Sequence, residues 1–226
     1  GNVGEKTIKG TIYFRENGEE VPVPFESKYS VIAEPSSAVV SADKMNVVYR
    51  GVQNPISVSL PGVSGNNLNV SATGGRLSGS GSKYNLSAGS GNTAVINVSA
   101  KLTSGKTVNS KATFRIKDIP AAMGSARGQF GVVRMPKSSL ANTPIGAGLP
   151  DFVFDLKLQV KSFKVKVPGQ VTVLVNGTKF NAQAKKVLAK ARRGDVVTIF
   201  DIQASIIGNS TYQLKKVIPV SIEITN

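Results

Sequence analysis

The sequence contains neither cysteine nor histidine, and it also lacks tryptophan. The absence of cysteine excludes disulfides and thiol catalysis, and the absence of both residues excludes zinc sites built from Cys and His. Without histidine the chain lacks the side chain that most often acts as a general base near neutral pH. No apolar run approaches the length of a membrane span. The segment itself is therefore not expected to cross a bilayer, and any membrane attachment is expected outside it.

Aromatic residues are scarce, at 6% of the chain, whereas proteins that bind single-stranded nucleic acid need aromatic stacking platforms. No pattern of a known RNA- or DNA-binding fold occurs, so we expect no nucleic acid as a partner. The sequence also shows no phosphate-binding loop, activated nucleophile, acid/base pair or metal-ligand cluster. We therefore expect a non-enzymatic protein with no cofactor, no metal and no small-molecule substrate.

Positive charge is present in excess, with a formal net charge of +15. Residues 1–118 contain 13 Lys and Arg against 8 Asp and Glu, whereas residues 119–226 contain 15 against 5. The second half is expected to attract an acidic partner, such as a protein surface, a nucleic acid or an anionic lipid. A basic soluble surface without any such partner is the alternative that charge alone leaves open.

Apolar and polar residues alternate with a period of two in most segments, which predicts an all-β fold. We divide the chain into a terminal β-hairpin of a preceding domain at 1–35, an immunoglobulin-like β-sandwich at 36–118 and a basic C-terminal β-sandwich at 119–226. Gly-, Ser- and Asn-rich turns separate the strands of the first sandwich. These strands are predicted at 45–50, 55–60, 67–72, 83–88, 93–102 and 107–117.

The N-terminal hairpin is predicted from strands at 7–14 and 21–33, with Asn17–Gly18 as the turn. Two strands cannot enclose a core. Residues 1–35 are therefore interpreted as the remnant of a preceding domain or as an arm packed on a neighbour, and 34–37 (EPSS) as the junction that follows.

The second sandwich is predicted to begin after a linker with long loops at 117–151, which is rich in Gly, Ala and Pro. The alternation slips at Ser162, which predicts a β-bulge, and Asn176–Gly177 predicts another hairpin turn. Asp201 is interpreted as a turn or edge group. The strands are predicted at 152–161, 163–175, 195–204 and 215–225.

One short α-helix is predicted at 181–193, because Asn181 can cap it and apolar residues recur at helical spacing. Arg193–Gly194–Asp195 spells a cell-adhesion tripeptide, but it lies where this helix must stop. The basic residues outside the apolar stripe are interpreted either as a docking surface for an acidic partner or as a solvated helix face. They form the candidate partner-binding set: Lys185, Lys186, Lys190, Arg192 and Arg193.

The Tyr49–Arg50 pair precedes Asn54–Pro55, which favours an extended entry into the next strand. The pair could form a ligand site on a loop. We favour a structural seam instead, in which the aromatic ring packs at the rim of the sandwich and the guanidinium binds backbone carbonyls.

Five segments carry a family resemblance: MNVVYRGVQNPISVSLPGVS, FRIKDIPAA, ARGQFGVV, LPDFVFDLKLQVKSFKVKVPG and RRGDVVTIFDIQA. Together they resemble the C-terminal periplasmic region of the GldM/PorM family, a motor-stalk subunit of type IX secretion and gliding motility. The resemblance extends over essentially the whole chain, as the end of one domain followed by the last two.

The resemblance implies a homodimeric periplasmic rod anchored to the inner membrane by an upstream transmembrane helix that this chain does not include. Through that helix the rod would pair with GldL/PorL in a motor driven by proton-motive force. Its C-terminal domain would contact the GldK/PorK and GldN/PorN ring at the outer membrane. A surface adhesin built of immunoglobulin-like modules is the alternative reading of the same fold. Such an adhesin would be expected at the cell surface, with a ligand site formed by aromatic or calcium-binding loops.

Overall fold

The period-two alternation produces β-strands throughout the described chain, which comprises residues 3–16, 18–32, 37–42 and 45–226 in this computed structural model. The strands form an N-terminal two-stranded hairpin and two groups of packed sheets. The prediction of an all-β protein of tandem immunoglobulin-like sandwiches is confirmed.

The N-terminal hairpin consists of β1 (Gly4–Glu16) and β2 (Glu19–Val31), which pair antiparallel along their whole length. Glu16 pairs with Glu19, so a two-residue loop joins the strands; Asn17 of the predicted turn lies outside the described residues, as do residues 34–36 of the predicted junction. Ion pairs between the two strands, such as Lys9–Glu26, lie on one face of the hairpin. The other face exposes its large apolar side chains: Ile8, Ile12, Phe14, Val23, Phe25 and Tyr29.

The first sandwich packs the four-stranded sheet β4-β10-β9-β6 against the four-stranded sheet β3-β5-β8-β7. Within the first sheet, β4 runs parallel to β10 while the other pairs are antiparallel. The strands are β3 (Val39–Ala42), β4 (Val47–Tyr49), β5 (Asn54–Ser59), β6 (Asn69–Thr73), β7 (Gly75–Ser80), β8 (Lys83–Ala88), β9 (Thr93–Lys101) and β10 (Thr107–Lys117), with a 3₁₀ turn at Gly65–Asn67.

The core of this sandwich follows the predicted alternation. In β9 the side chains of Ile96, Val98 and Ala100 are buried as expected, and Phe114 of β10 is fully enclosed. Strand β7, by contrast, lies in a Gly- and Ser-rich stretch that we interpreted as turns. It forms because its backbone pairs along six residues with β8, so ladder hydrogen bonds outweigh its low strand propensity.

The second sandwich combines the five-stranded sheet β13-β18-β17-β15-β16, the three-stranded sheet β12-β11-β14 and two short helices. Strand β13 runs parallel to β18. The elements are β11 (Met123–Ala126), β12 (Gln129–Phe130), β13 (Val132–Met135), α1 (Lys137–Asn142), β14 (Ile145–Gly148), β15 (Leu158–Lys166), β16 (Val173–Asn176), α2 (Ala182–Leu188), β17 (Val196–Ile206) and β18 (Val220–Ile224).

The interpretation of 117–151 as a linker is wrong, and so is the prediction of a single helix. Strands β11 to β14 and helix α1 lie in this segment, and Leu140 of α1 belongs to the same buried core as Val187 and Leu188 of α2. These elements are only two to six residues long, which is too short for a period of 2 or 3.6 to be recognised. Tertiary packing rather than local pattern stabilises them.

The bulge predicted at Ser162 is confirmed by register shifts in the pairing of β15 with β17. The predicted strand at 152–161 is wrong before Leu158, and that at 163–175 is interrupted after Lys166. Pro168 and Gly169 supply the turn to β16, because proline cannot donate a ladder hydrogen bond. Asn176–Gly177 therefore does not form a hairpin; it leads from β16 towards α2.

Asp201 lies in β17 beyond Ile199, where the pairing with β18 ends, so β17 pairs only with β15 at this point, as expected for an edge group. Lys164 pairs with Phe200 while Ser162 pairs with Gln203, which leaves one extra residue on β17 at this point. Asp201 accommodates this second bulge at φ 48°, a conformation that Asp and Asn tolerate better than most residues. Its carboxylate is 2.8 Å from Lys164 Nζ.

Changing Asp201 to Asn is expected to remove a small, pH-dependent part of the stability. A hydrogen bond from Lys164, and the charge of that residue, lower the pKa of Asp201 below its ordinary value of 3.8. A lowered folded-state pKa gives stability above the unfolded value that is lost as pH falls through the folded value. Thermal unfolding should therefore favour the wild type at pH 7 and show no difference at pH 2. Lys164→Gln should behave in the same way, whereas a constant difference at both pH values would contradict the ion-pair explanation.

Candidate partner-binding site

Helix α2 presents its apolar stripe to the core and its basic residues to solvent. Asn181 caps it as predicted, its side-chain oxygen accepting a hydrogen bond from the Ala184 amide at 2.8 Å. The helix ends at Leu188, five residues before the predicted end at 193. Residues after Leu188 continue in tight turns because Ala191 is drawn into the core, where it is 1% exposed.

Arg192 and Arg193 therefore lie in a turn rather than in the last helical turn. The Asp195 carboxylate accepts a hydrogen bond from the Arg192 amide at 2.8 Å, and the Asp195 amide donates to the Arg192 carbonyl. Gly194 closes this turn at φ 86°, where a side chain would be strained. The Arg-Gly-Asp tripeptide is thus part of a structural turn, in which the Asp195 carboxylate is hydrogen-bonded to a backbone amide.

The five predicted residues lie within residues 185–193 and are all at the surface. All five are exposed, and no ion pair among the described residues involves any of them. Asp195, the acid next to them in sequence, faces the backbone. We call these residues the basic segment: Lys185, Lys186, Lys190, Arg192 and Arg193.

Lys137 holds the end of α2 from the neighbouring helix α1. Its Nζ donates to the carbonyls of Ala189 and Ala191, at 3.1 and 3.0 Å. Carbonyls at a helix C-terminus lack helical partners and carry partial negative charge, so a lysine stabilises them. Sequence reasoning missed this residue because it lies in the segment interpreted as a linker. Pro136, immediately before α1, was the available signal for a helix start.

The second functional feature is the junction between the two sandwiches, where Tyr49 meets an aromatic pair. The Tyr49 ring packs edge-on against Phe152 at 4.8 Å and Phe154 at 5.9 Å between ring centroids. Phe152 and Phe154 belong to the irregular segment before β15 that we predicted as strand. Their alternation reflects packing on Tyr49 rather than on a sheet.

Arg50 binds backbone carbonyls, as we predicted for a structural seam. Its guanidinium donates to the carbonyls of Gly89, Ser90 and Gly91. It also makes a 2.6 Å ion pair with Asp118, where the chain leaves the first sandwich. With its side chain 22% exposed and its donors occupied, Arg50 fixes the seam and does not offer a ligand site.

Tyr212 closes the junction from the second sandwich. Its hydroxyl accepts a hydrogen bond from the Ile119 amide at 3.1 Å, and its ring lies against Gly51, where an added Cβ would be 2.6 Å away. Asn209 donates to the Gly51 carbonyl at 2.9 Å. Gly51 is therefore required both by its φ of 81° and by the close approach of the ring.

No group of three or more acidic, Cys or His side chains in the described ranges could hold a metal ion. Of the helices that the structure describes, none combines the length and hydropathy that a bilayer crossing requires.

Comparison with solved structures gives 41 matching chains. The three described below have low sequence identity to this chain. The protocadherin gammaB7 EC3-6 cis-dimer is 12% identical, with a TM-score of 0.28, over 98% of this chain and 58% of that one. The fibronectin(III)-like modules of Clostridium thermocellum CbhA are 13% identical, with a TM-score of 0.27, over 83% and 94%. Drosophila N-cadherin EC1-4 is 13% identical, with a TM-score of 0.26, over 100% and 59%. The chain thus spans under two thirds of the length of both cadherins.

No curated protein matches the chain in sequence. Family models, however, match consecutive parts of it. The GldM second domain matches residues 1–33, the GldM third domain matches 37–117 and the GldM C-terminal domain matches 118–225. Together these matches leave only a few residues uncovered. The chain therefore belongs to the GldM family of the type IX secretion and gliding machinery.

Proposed function

We propose that this chain is a non-enzymatic segment of a periplasmic stalk, which transmits motion from a proton-driven motor in the inner membrane to a ring at the outer membrane. An upstream transmembrane helix anchors the stalk and pairs with GldL/PorL. The stalk is a homodimer, and its C-terminal domain contacts the GldK/PorK and GldN/PorN ring. Membership of the GldM family supports this proposal over an adhesin.

The observation that carries the proposal is the basic segment of the domain matched by the GldM C-terminal model. Five exposed cations lie within nine residues, and the described residues supply no ion pair to them. Unpaired like charges on one surface accelerate association with an acidic partner and orient it. A stalk that moves its load needs such a contact at its distal end.

The junction between the two sandwiches supports the proposal that the chain transmits motion. Aromatic packing of Tyr49 on Phe152 and Phe154 and the Tyr212 contact with Gly51 join the two sandwiches, and the Arg50–Asp118 ion pair fixes the end of the first sandwich beside them. Contacts of this kind oppose movement of one domain relative to the other. Motion applied to one domain is then passed to the next instead of being absorbed between them.

Reversing the charge of the basic segment is expected to weaken binding to purified GldK and GldN ring proteins at least about tenfold at low salt, because complementary charges govern this encounter. Glutamate replaces all five residues, and surface plasmon resonance measures the affinity. The matched control reverses five exposed cations of the first sandwich: Lys101, Lys106, Lys111, Arg115 and Lys117.

Both variants change the net charge equally, so the comparison separates a local contact from a general charge effect. Circular dichroism checks that each variant is folded. Equal loss of affinity in the two variants would mean that net charge, and not a local contact, determines binding. Unchanged affinity of the folded segment variant would exclude the segment as the contact.

A further inference from the structure

A narrow groove separates α1 from α2 next to the basic segment. Its volume is about 240 Å³, and it is lined by Lys137, Ser138, Ala141, Lys185, Leu188 and Ala189. The walls are mainly the methyl groups of the two alanines and the aliphatic stems of the two lysines, with Leu188 as the buried floor. Small-molecule sites usually measure ~300–1,000 Å³, so this groove suits one side chain better than a cofactor.

A polar contact links the two helices beside the groove. Lys137 of α1 binds the carbonyls of Ala189 and Ala191 just after α2. It thereby ties the end of α2 to α1. A preformed groove loses less conformational entropy on binding than one that must first open.

The rim of the groove carries charge of one sign. Lys185 belongs both to the groove and to the basic segment, and its ammonium makes no ion pair with any described residue. An apolar side chain entering the groove would place its sequence neighbours beside these cations. Interfaces commonly combine one apolar anchor in a pocket with surrounding polar contacts. Charge complementarity requires that the neighbours be acidic.

We propose that the α1–α2 groove binds a leucine-like side chain from an acidic segment of the partner protein. This inference rests on the proposed function, because the acidic partner is the one that the basic segment attracts. It adds the anchor that positions that partner. The charges supply attraction, and the groove selects one residue within an acidic stretch.

Two labelled peptides, EEELEEE and EEEAEEE, test the anchor against the full chain by fluorescence anisotropy at low salt. The leucine peptide is expected to bind about tenfold more tightly, since it buries three more carbon atoms in the groove. Ala141→Phe fills the groove without changing charge and should remove this preference while leaving the affinity for the alanine peptide unchanged. Ala182→Phe, at an exposed position of α2 outside the groove lining, should preserve the preference.

Ser138→Phe is a second groove-filling variant at an exposed position if Ala141→Phe does not fold. Equal affinity of the wild type for both peptides would overturn the anchor, as would a preference that survives either filling variant. Binding to phosphatidylglycerol vesicles without binding to either peptide would also overturn it. A basic-segment variant that binds both peptides as tightly as the wild type would instead contradict the proposed function, so the two failures are distinguishable.

Discussion

Replacing Asn54 by aspartate is expected to lower the free energy of unfolding by about 3–5 kcal/mol at pH 7, as expected for an uncompensated buried charge. Asn54 is 2% exposed. Its Nδ2 donates to the carbonyls of Tyr49, Val52 and Leu86, and its Oδ1 accepts from the Tyr49 amide. Aspartate has nearly the same shape but would direct a charged oxygen at those carbonyls. The change thus removes every donor without creating a cavity.

The penalty should depend on pH with a defined sign. Burial beside carbonyl oxygens raises the folded-state pKa of the new carboxyl above its unfolded value of about 3.9. The penalty is therefore complete above the raised value and declines as pH falls towards the unfolded value. Urea unfolding at pH 7 and pH 4.5 measures both values. Asn85→Asp, at an exposed position on the neighbouring strand β8, is the matched control, and an equal effect of the two substitutions would contradict the burial argument.

Truncating both aromatic rings of the junction, Tyr49→Ala with Tyr212→Ala, is expected to uncouple the two sandwiches while each retains its own core. Each half-buried ring should contribute about 2 kcal/mol to the contact between domains. Neither side chain belongs to a buried core cluster, so folding of each domain should persist. On the proposed function, secretion and gliding should fail in cells although the protein remains present.

The lack of cysteine in the chain makes the uncoupling directly measurable. Cysteines introduced at Ser80 and Gln183, both exposed, are the sole sites for spin labels. The distance distribution between the labels should broaden in the double variant. Tyr84→Ala truncates a half-buried ring inside the first sandwich and should leave the distribution narrow. An unchanged distribution in the double variant would show that the aromatic contacts do not stiffen the junction.

Strands with apolar alternation could be predicted from the sequence, because a strand that buries one face needs an apolar residue at every second position. The stretch from Ala94 to Lys101 and the slip at Ser162 both encode their structure in neighbouring residues. Strand β7 and helix α1 do not. Their residues are small or their length is one or two turns, so only their partners, the neighbouring strand β8 and the distant helix α2, explain why they form.

The candidate sites also divide into those that neighbouring residues encode and those that depend on distant partners. The basic segment lies within nine residues, so composition and spacing were enough to identify it, although the helix was predicted too long. Tyr49 and Arg50 were interpreted as a seam, but the ring partners of Tyr49, Phe152 and Phe154, lie more than a hundred residues away. No local signal connects them. Lys137 was missed for the same reason, since its role depends on carbonyls that only the fold brings near.

The parallel pairs β4–β10 and β13–β18 have a mechanical consequence. In each sandwich an early strand runs alongside the last one in the same direction. The chain therefore enters β4 at one end of that pair and leaves β10 at the other. A pull applied at the start of β4 and the end of β10 would act parallel to these strands and shear their hydrogen bonds together, instead of opening them one after another. In the proposed stalk, such a pair would oppose extension along its strands.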